Sequence, residues 1–169
     1  YGTRHSEARA ALLELDREME RLATMVSGHT RIVLSADHGF LDSGEGTRHQ
    51  IRNSESLLGL LRCPPSGDKR VLYMHLRQGV EEKVHEYFRR RFNRRFFVIA
   101  VDEAEELGLF GPEPLSMEVR GRVGDMMAIS AGADAIEYRP SGGSGGVMQE
   151  ASQHSGLTPS EMYVPLILA

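Results

Sequence analysis

The chain has 169 residues, of which 40% are hydrophobic and 26% are charged. These proportions are typical of a globular domain, so they exclude a disordered tail, a collagen-like fibre and a disulfide scaffold. The formal net charge of −4 gives no general attraction to nucleic acid or to anionic lipid. No apolar run approaches the roughly 20 residues that a membrane-spanning helix needs.

Cys63 is the single cysteine and cannot form an internal disulfide, which is compatible with a reducing compartment. A cytoplasmic location is therefore slightly favoured, although the sequence leaves localisation open. The chain begins at Tyr1 without Met and enters a helical pattern at once. We therefore expect it to be a fragment of a longer protein.

The first 65 residues predict a long helix, a strand and a short helix. Apolar residues recur at helical spacing from Ser6 to Val26, and Gly28 is expected to end that helix. The apolar run 31–36 predicts a buried strand that stops at Asp37. The segment 55–61 predicts a short helix, closed by two prolines.

Strands and helices alternate in the middle of the chain. The strands are expected at 71–76, 96–101, 126–130 and 135–138, and the helices at 80–92 and from Asp102 onward. This order indicates an α/β fold.

The C-terminal part begins with a Ser/Gly stretch, 141–146, whose composition is that of a flexible linker. Thr158 and Glu161 then have the spacing of a capping box, with Pro159 at the first helical position. A last strand is expected at 166–168.

Asp37 and His38 carry the strongest local chemical signal. They follow a predicted strand, at the edge where open α/β sheets place their ligands, and Gly39 permits a turn that brings both side chains toward one cation. Aspartate oxygen and histidine nitrogen are suitable zinc ligands. The alternative interpretation is that Asp37 caps a turn and that His38 is an ordinary loop histidine.

A basic cluster interleaved with phenylalanines lies near the middle of the chain, at 89–97. Arginine and aromatic side chains together bind phosphate or single-stranded nucleic acid. Cations are also common at the solvated end of a helix, where they suit the helix dipole. The second interpretation is favoured, so nucleic acid is not an expected partner.

Two motifs at opposite ends of the chain together resemble a known family. Asp37-His38-Gly39 follows a predicted strand, and His154-Ser155-Gly156 runs into Glu161, Val164 and Pro165. This pattern resembles the alkaline phosphatase superfamily, and within it the type I phosphodiesterase/nucleotide pyrophosphatase family. Ser155 stands where the family more often has glycine. Segments that also look similar are 2–16, 106–111 and 122–125.

The resemblance implies a two-zinc phosphoryl-transfer site, with manganese or iron as possible replacements. Asp37 and His38 would belong to one metal and His154 to the other. The remaining ligands and the Thr or Ser nucleophile are expected upstream, so this chain holds no matched catalytic nucleophile and is predicted to be inactive alone. The expected partner is a small phosphodiester or phosphate ester. The sequence does not indicate the oligomeric state.

The fold implied is a partial alkaline-phosphatase-like core sheet flanked by helices. Residues 1–65 and 141–169 would form the C-terminal part of that core, and 66–140 an inserted α/β subdomain. Two alternatives remain open for the function. One is a phosphomutase-branch enzyme that resembles cofactor-independent phosphoglycerate mutase, and the other is a non-catalytic pseudo-hydrolase that serves as a binding module.

Overall fold

The computed structural model describes residues 1–26, 28–140 and 150–169, so the Ser/Gly stretch 141–146 lies outside the described residues. The helices are α1 Ser6–Val26, α2 Ser56–Leu60, α3 Glu81–Phe92, α4 Val101–Glu106, α5 Met117–Val123 and α6 Pro159–Met162. The strands are β1 Val33–Ser35, β2 Leu41–Asp42, β3 Arg48–Arg52, β4 Ser66–Asp68, β5 Val71–Met74, β6 Phe96–Ala100, β7 Met126–Ser130, β8 Ala135–Arg139, β9 Ser152–Gln153 and β10 Leu166–Leu168. The predicted α/β class is confirmed.

The largest sheet has four antiparallel strands in the order β4, β5, β7, β6. The central strand β7 is buried along its whole length because it has a paired strand on each side and packs on both faces. The helix α3 connects β5 to β6 and ends at Asn93, which adopts the left-handed conformation (φ 43°) that asparagine tolerates at a helix end. Val84, Phe88 and Phe92 on one face of α3 are buried.

The main core lies between this sheet and α3. Phe88, Phe92 and Phe96 contact one another in tilted and edge-to-face arrangements, with successive ring centroids 5.2–5.3 Å apart. Ile51 on β3 and Leu57 on α2 join the same core, and β3 pairs in parallel with β8. Residues on both sides of position 65 therefore share one core. The assignment of 66–140 as an insertion stays a prediction.

The strand predicted at 31–36 is shorter than expected and is not buried. In the structure β1 pairs antiparallel with β10, and Val33 remains 63% exposed. The prediction of a buried strand is wrong. The apolar run is typical of a strand with packed side chains on both faces, but among the described residues β1 is only paired along one edge with β10. All three residues of β10 are exposed as well.

The helix α1 has the predicted bounds but buries none of its residues among those described. Its apolar stripe, which includes Leu12, Leu15 and Leu22, is open to solvent. We call the exposed apolar residues of α1, β1 and β10 the open face. No helix in the described ranges carries an apolar stretch that would span a bilayer.

The basic cluster is largely occupied by contacts within the protein. Arg95 contacts Asp134 at 3.1 Å and Arg90 contacts Glu86 at 3.4 Å. The rings of Phe92 and Phe96 are buried in the core, so they are not available to stack on bases. These contacts favour the structural interpretation of the cluster.

Candidate metal site

Two short contacts bring the two sequence motifs together. The strand β2 pairs with β9 so that Leu41 is opposite Gln153, which places the next residues, Phe40 and His154, side by side. Their rings meet edge to face at 5.5 Å. The Gly39 N–H also donates to the backbone carbonyl of Glu161 at 2.8 Å. The Asp-His-Gly turn is thus attached both to the strand before His154 and to the helix after it.

His38 and His154 lie against each other in this junction. Their imidazole rings are stacked, with centroids 4.1 Å apart and planes 13° apart. Phe40 contacts the edges of both rings, at 5.1 and 5.5 Å. Both histidines are half-buried, so the pair is fixed on one side and accessible on the other.

His38 presents its Nε2 atom for coordination. Its Nδ1 atom lies 2.9 Å from the carbonyl oxygen of Gly39, which only accepts hydrogen bonds. Nδ1 therefore carries the proton, and the Nε2 lone pair is free for a metal. This arrangement, in which a backbone carbonyl holds the second nitrogen, is common among histidines that bind metals.

Asp37 lies next to that nitrogen. Its Oδ2 atom is 3.7 Å from His38 Nε2, and its Oδ1 atom accepts from the His38 backbone N–H at 3.0 Å. Two ligands of one tetrahedral zinc ion, with bonds of about 2.0–2.1 Å, are roughly 3.4 Å apart. The separation fits a shared cation after a shift of a few tenths of an ångström. The Asp37 side chain is 88% exposed, so no packed side chain opposes that shift.

The donor atoms fit zinc in chemical type, but they form an incomplete set. Within 1–26, 28–140 and 150–169, no group of three or more His, Cys, Asp or Glu side chains is arranged to hold a metal ion. The structure brings His38 next to Asp37 and next to His154, as two pairs rather than as one three-ligand cluster.

Ser155 and Asp68 lie beside His154 and were not expected from the sequence. The Ser155 hydroxyl lies 3.0 Å from His154 Nδ1 and donates to Asp68 Oδ2 at 2.7 Å. Burial acts to raise the pKa of Asp68, but hydrogen bonds from Ser155 and from the Lys69 backbone outweigh it, so that pKa is below its ordinary value. The departure from glycine at Ser155 was the one sequence signal that could have drawn attention to this contact.

Arg70 and Glu161 form a second unexpected feature. The Arg70 guanidinium is completely buried and forms a two-point ion pair with the Glu161 carboxylate. The same carboxylate accepts from the backbone N–H groups of Gly156 at 2.9 Å and Thr158 at 3.3 Å. Glu161 is thus the predicted capping residue of α6 and also the anchor of the segment that carries His154.

Known proteins resemble this chain in structure and not in sequence. No protein-family model matches it, and no curated protein sequence matches it. Human ectonucleotide pyrophosphatase/phosphodiesterase 5 aligns with 82% of this chain and 35% of its own, at 13% identity and a TM-score of 0.59. The murine protein in complex with AMP aligns with 98% of this chain and 42% of its own, at 12% identity and a TM-score of 0.67.

Phosphonoacetate hydrolase from Sinorhizobium meliloti 1021, in complex with phosphonoacetate, aligns with 99% of this chain and 42% of its own. The identity is 18% and the TM-score is 0.69. The chain has an alkaline-phosphatase-like fold. The resemblance drawn from the two motifs is therefore confirmed at the level of the fold. The chain spans only 35–42% of the length of these three structures.

Proposed function

We propose that this chain supplies the C-terminal half of the active site of a metal-dependent phosphoric ester hydrolase, of the phosphodiesterase/nucleotide pyrophosphatase type. Asp37 and His38 would hold one metal, and His154 the other. The observation that carries the proposal is the stacking of His38 on His154 at 4.1 Å, because these histidines come from opposite ends of the chain. Zinc is the expected metal, with manganese or iron as alternatives.

A pair of such metals about 4 Å apart would stabilise the attacking and leaving oxygens of an in-line displacement at phosphorus. The residues of this chain orient that chemistry rather than perform the attack. His38 offers Nε2 because Gly39 holds its Nδ1 proton, and Asp37 offers an exposed carboxylate oxygen beside it. The nucleophile would be a Thr or Ser outside this chain, so the chain alone would not turn over substrate.

The fold neighbours support a general substrate class. One neighbour is in complex with AMP and another with phosphonoacetate, and both ligands carry a phosphorus oxyanion. A small phosphodiester or phosphate ester is the matching class for a site of this type.

The open face supports the proposal that further core elements belong to the complete protein. The apolar stripe of α1 and the exposed β1–β10 pair together form an exposed apolar surface of the kind that marks a contact with further protein. An isolated two-stranded ribbon is also marginal in water. The remaining part of an alkaline-phosphatase-like core would cover both and would bring the missing ligands to Asp37, His38 and His154.

The decisive experiment measures zinc-dependent hydrolysis of a chromogenic phosphodiester by the full-length protein. Asp37→Ala and His154→Ala should each abolish turnover, and His85→Ala on α3 serves as the matched control with full activity. Turnover that survives both site substitutions would contradict the proposal. Bound zinc without phosphodiester turnover would lead to assays of sugar-phosphate isomerisation, the phosphomutase alternative. If the full-length protein neither binds zinc nor hydrolyses the substrate, the hydrolase proposal is wrong and the non-catalytic binding module is favoured.

A further inference from the structure

Ser155 lies between a carboxylate and an imidazole. Its Oγ atom donates to Asp68 Oδ2 at 2.7 Å and lies 3.0 Å from Nδ1 of His154. A hydroxyl group has one proton and two lone pairs. Since its proton is directed to Asp68, only a lone pair faces His154, and the hydrogen bond between them must be donated by Nδ1–H of the imidazole.

The direction of these two hydrogen bonds fixes which ring nitrogen of His154 carries the proton. With the proton on Nδ1, the Nε2 atom keeps its lone pair, which is the form that binds a metal. His38 reaches the same state through the Gly39 carbonyl. The two stacked imidazoles therefore present the same nitrogen, although one is held by the backbone and the other by side chains.

We propose that Ser155 and Asp68 are positioning residues that orient His154 and hold it in the tautomer that coordinates metal through Nε2. This inference rests on the function proposed above. Carboxylate groups that hold a metal-bound histidine at its second nitrogen are common, and here a serine hydroxyl extends that link by one group. We call the three residues the His154 relay.

The backbone of Ser155 supports a role for its side chain. Its φ is +81°, in the left-handed region where a residue with a Cβ atom is strained and glycine is favoured. Strain of this kind persists at functional sites when the side chain is needed there. Glycine at 155 would relieve the backbone strain, which favours stability. It would also remove the hydroxyl, which disfavours the orientation of His154.

Strand pairing and a backbone hydrogen bond position Asp68 at the end of the relay. It is the last residue of β4, and its register partner on β5 is Val71. Its second oxygen, Oδ1, accepts from the Lys69 backbone N–H at 2.6 Å. The four-stranded sheet thus fixes one end of the relay, and β9 leads into the other.

The test uses the full-length protein and two measurements. The first is zinc affinity, from competition with a chelator. The second is the tautomer of His154 in the metal-free protein, from the ¹⁵N chemical shifts of its ring. Ser155→Gly and Asp68→Ala should each weaken zinc binding by about 10–100-fold and should mix the His154 tautomers. Ser155→Gly should also leave the thermal stability of the metal-free protein unchanged or higher, which a purely structural role would not do.

The matched control is Ser152→Ala, which removes a serine hydroxyl that donates to Asp42 at 2.8 Å and lies in no such relay. It should leave the zinc affinity and the His154 tautomer unchanged. The relay is overturned if His154→Ala weakens zinc binding while Ser155→Gly and Asp68→Ala change neither the affinity nor the tautomer. If His154→Ala itself leaves zinc binding intact, the proposed metal site fails instead, and the tautomer measurement still decides whether the hydrogen bonds exist.

Discussion

Arg70 and Glu161 form an ion pair that is closed to solvent on both sides, with side chains 0% and 1% exposed. The remaining N–H groups of Arg70 donate to the carbonyls of Asp134 at 3.1 Å and Gly132 at 2.6 Å. Because the Glu161 backbone carbonyl accepts from Gly39, the pair connects the four-stranded sheet to both motifs of the metal site.

Substituting Arg70 should therefore destabilise the protein strongly. Arg70→Met leaves the Glu161 carboxylate buried without its cation, and breaking a buried pair costs about 3–5 kcal/mol. Urea unfolding of the metal-free protein measures this change. Arg90→Met is the control, because its contact with Glu86 is exposed and is expected to be worth no more than about 1 kcal/mol. The prediction would be contradicted if Arg70→Met lowered the free energy of unfolding by as little as the control does.

The Arg70–Glu161 ion pair should also make the free energy of unfolding depend on pH in the acidic range. Burial acts to raise the pKa of Glu161, but hydrogen bonds from Arg70, Thr158 and Gly156 outweigh it, so the folded pKa lies below the ordinary 4.5. A lowered pKa contributes stability that is complete above the unfolded value and is lost as the pH falls through the folded value. The unfolding free energy should thus decline below about pH 4.5.

Glu161→Gln isolates this contribution. The amide cannot ionise, so the variant should be less stable near neutral pH and should lose less stability on acidification than the wild type. Urea titrations at several acidic pH values give the slope of the unfolding free energy against pH for each protein. Parallel slopes for the two proteins would show that Glu161 does not account for the acid sensitivity.

Gly39 is required by a close approach of two backbones. A Cβ atom at this position would lie far closer to the backbone carbonyl oxygen of Ser160 than the 3.0 Å below which Cβ atoms essentially never approach another heavy atom. Gly39→Ala should force the Asp-His-Gly turn away from α6, with a loss of more than about 1 kcal/mol in the free energy of unfolding.

Gly59→Ala is the matched control for that substitution. Nothing lies within 4 Å of its Cβ position, and Gly59 is inside α2, so alanine should stabilise the protein by about 0.5–1 kcal/mol. Thermal unfolding of the two variants should give shifts of opposite sign. Shifts of the same sign would mean that Gly39 has room that the structure does not indicate.

The open face gives a prediction for the full-length protein. If further core elements cover β10, Ile167→Glu should bury a charge and lower the unfolding free energy by more than about 2 kcal/mol. Met117→Glu, at a position 92% exposed on α5, should change it by no more than about 0.5 kcal/mol. Equal, small effects at both positions in urea unfolding would show that β10 stays exposed.

The elements with a strong periodic pattern were predictable because their signals are local, whereas β2, β3, β4, β9 and α5 were not predicted. The helix Ser6–Val26 and the strand Met126–Ser130 have the bounds expected from their apolar spacing, and Thr158 and Glu161 form the expected capping box of α6. Apolar residues at a fixed period have to share one side of an element, whatever its neighbours are. The motif residues Asp37, His38 and His154 were also visible without the structure.

Only the tertiary structure decided which of these residues meet and what holds them. The pairing of β2 with β9 brings His38 to His154, and a hydrogen bond across 87 residues of sequence brings Asp68 to Ser155. The exposure of β1 likewise depends on which elements cover it. Periodicity records the side of an element that a residue occupies, and it carries no information on which distant element will lie against that side.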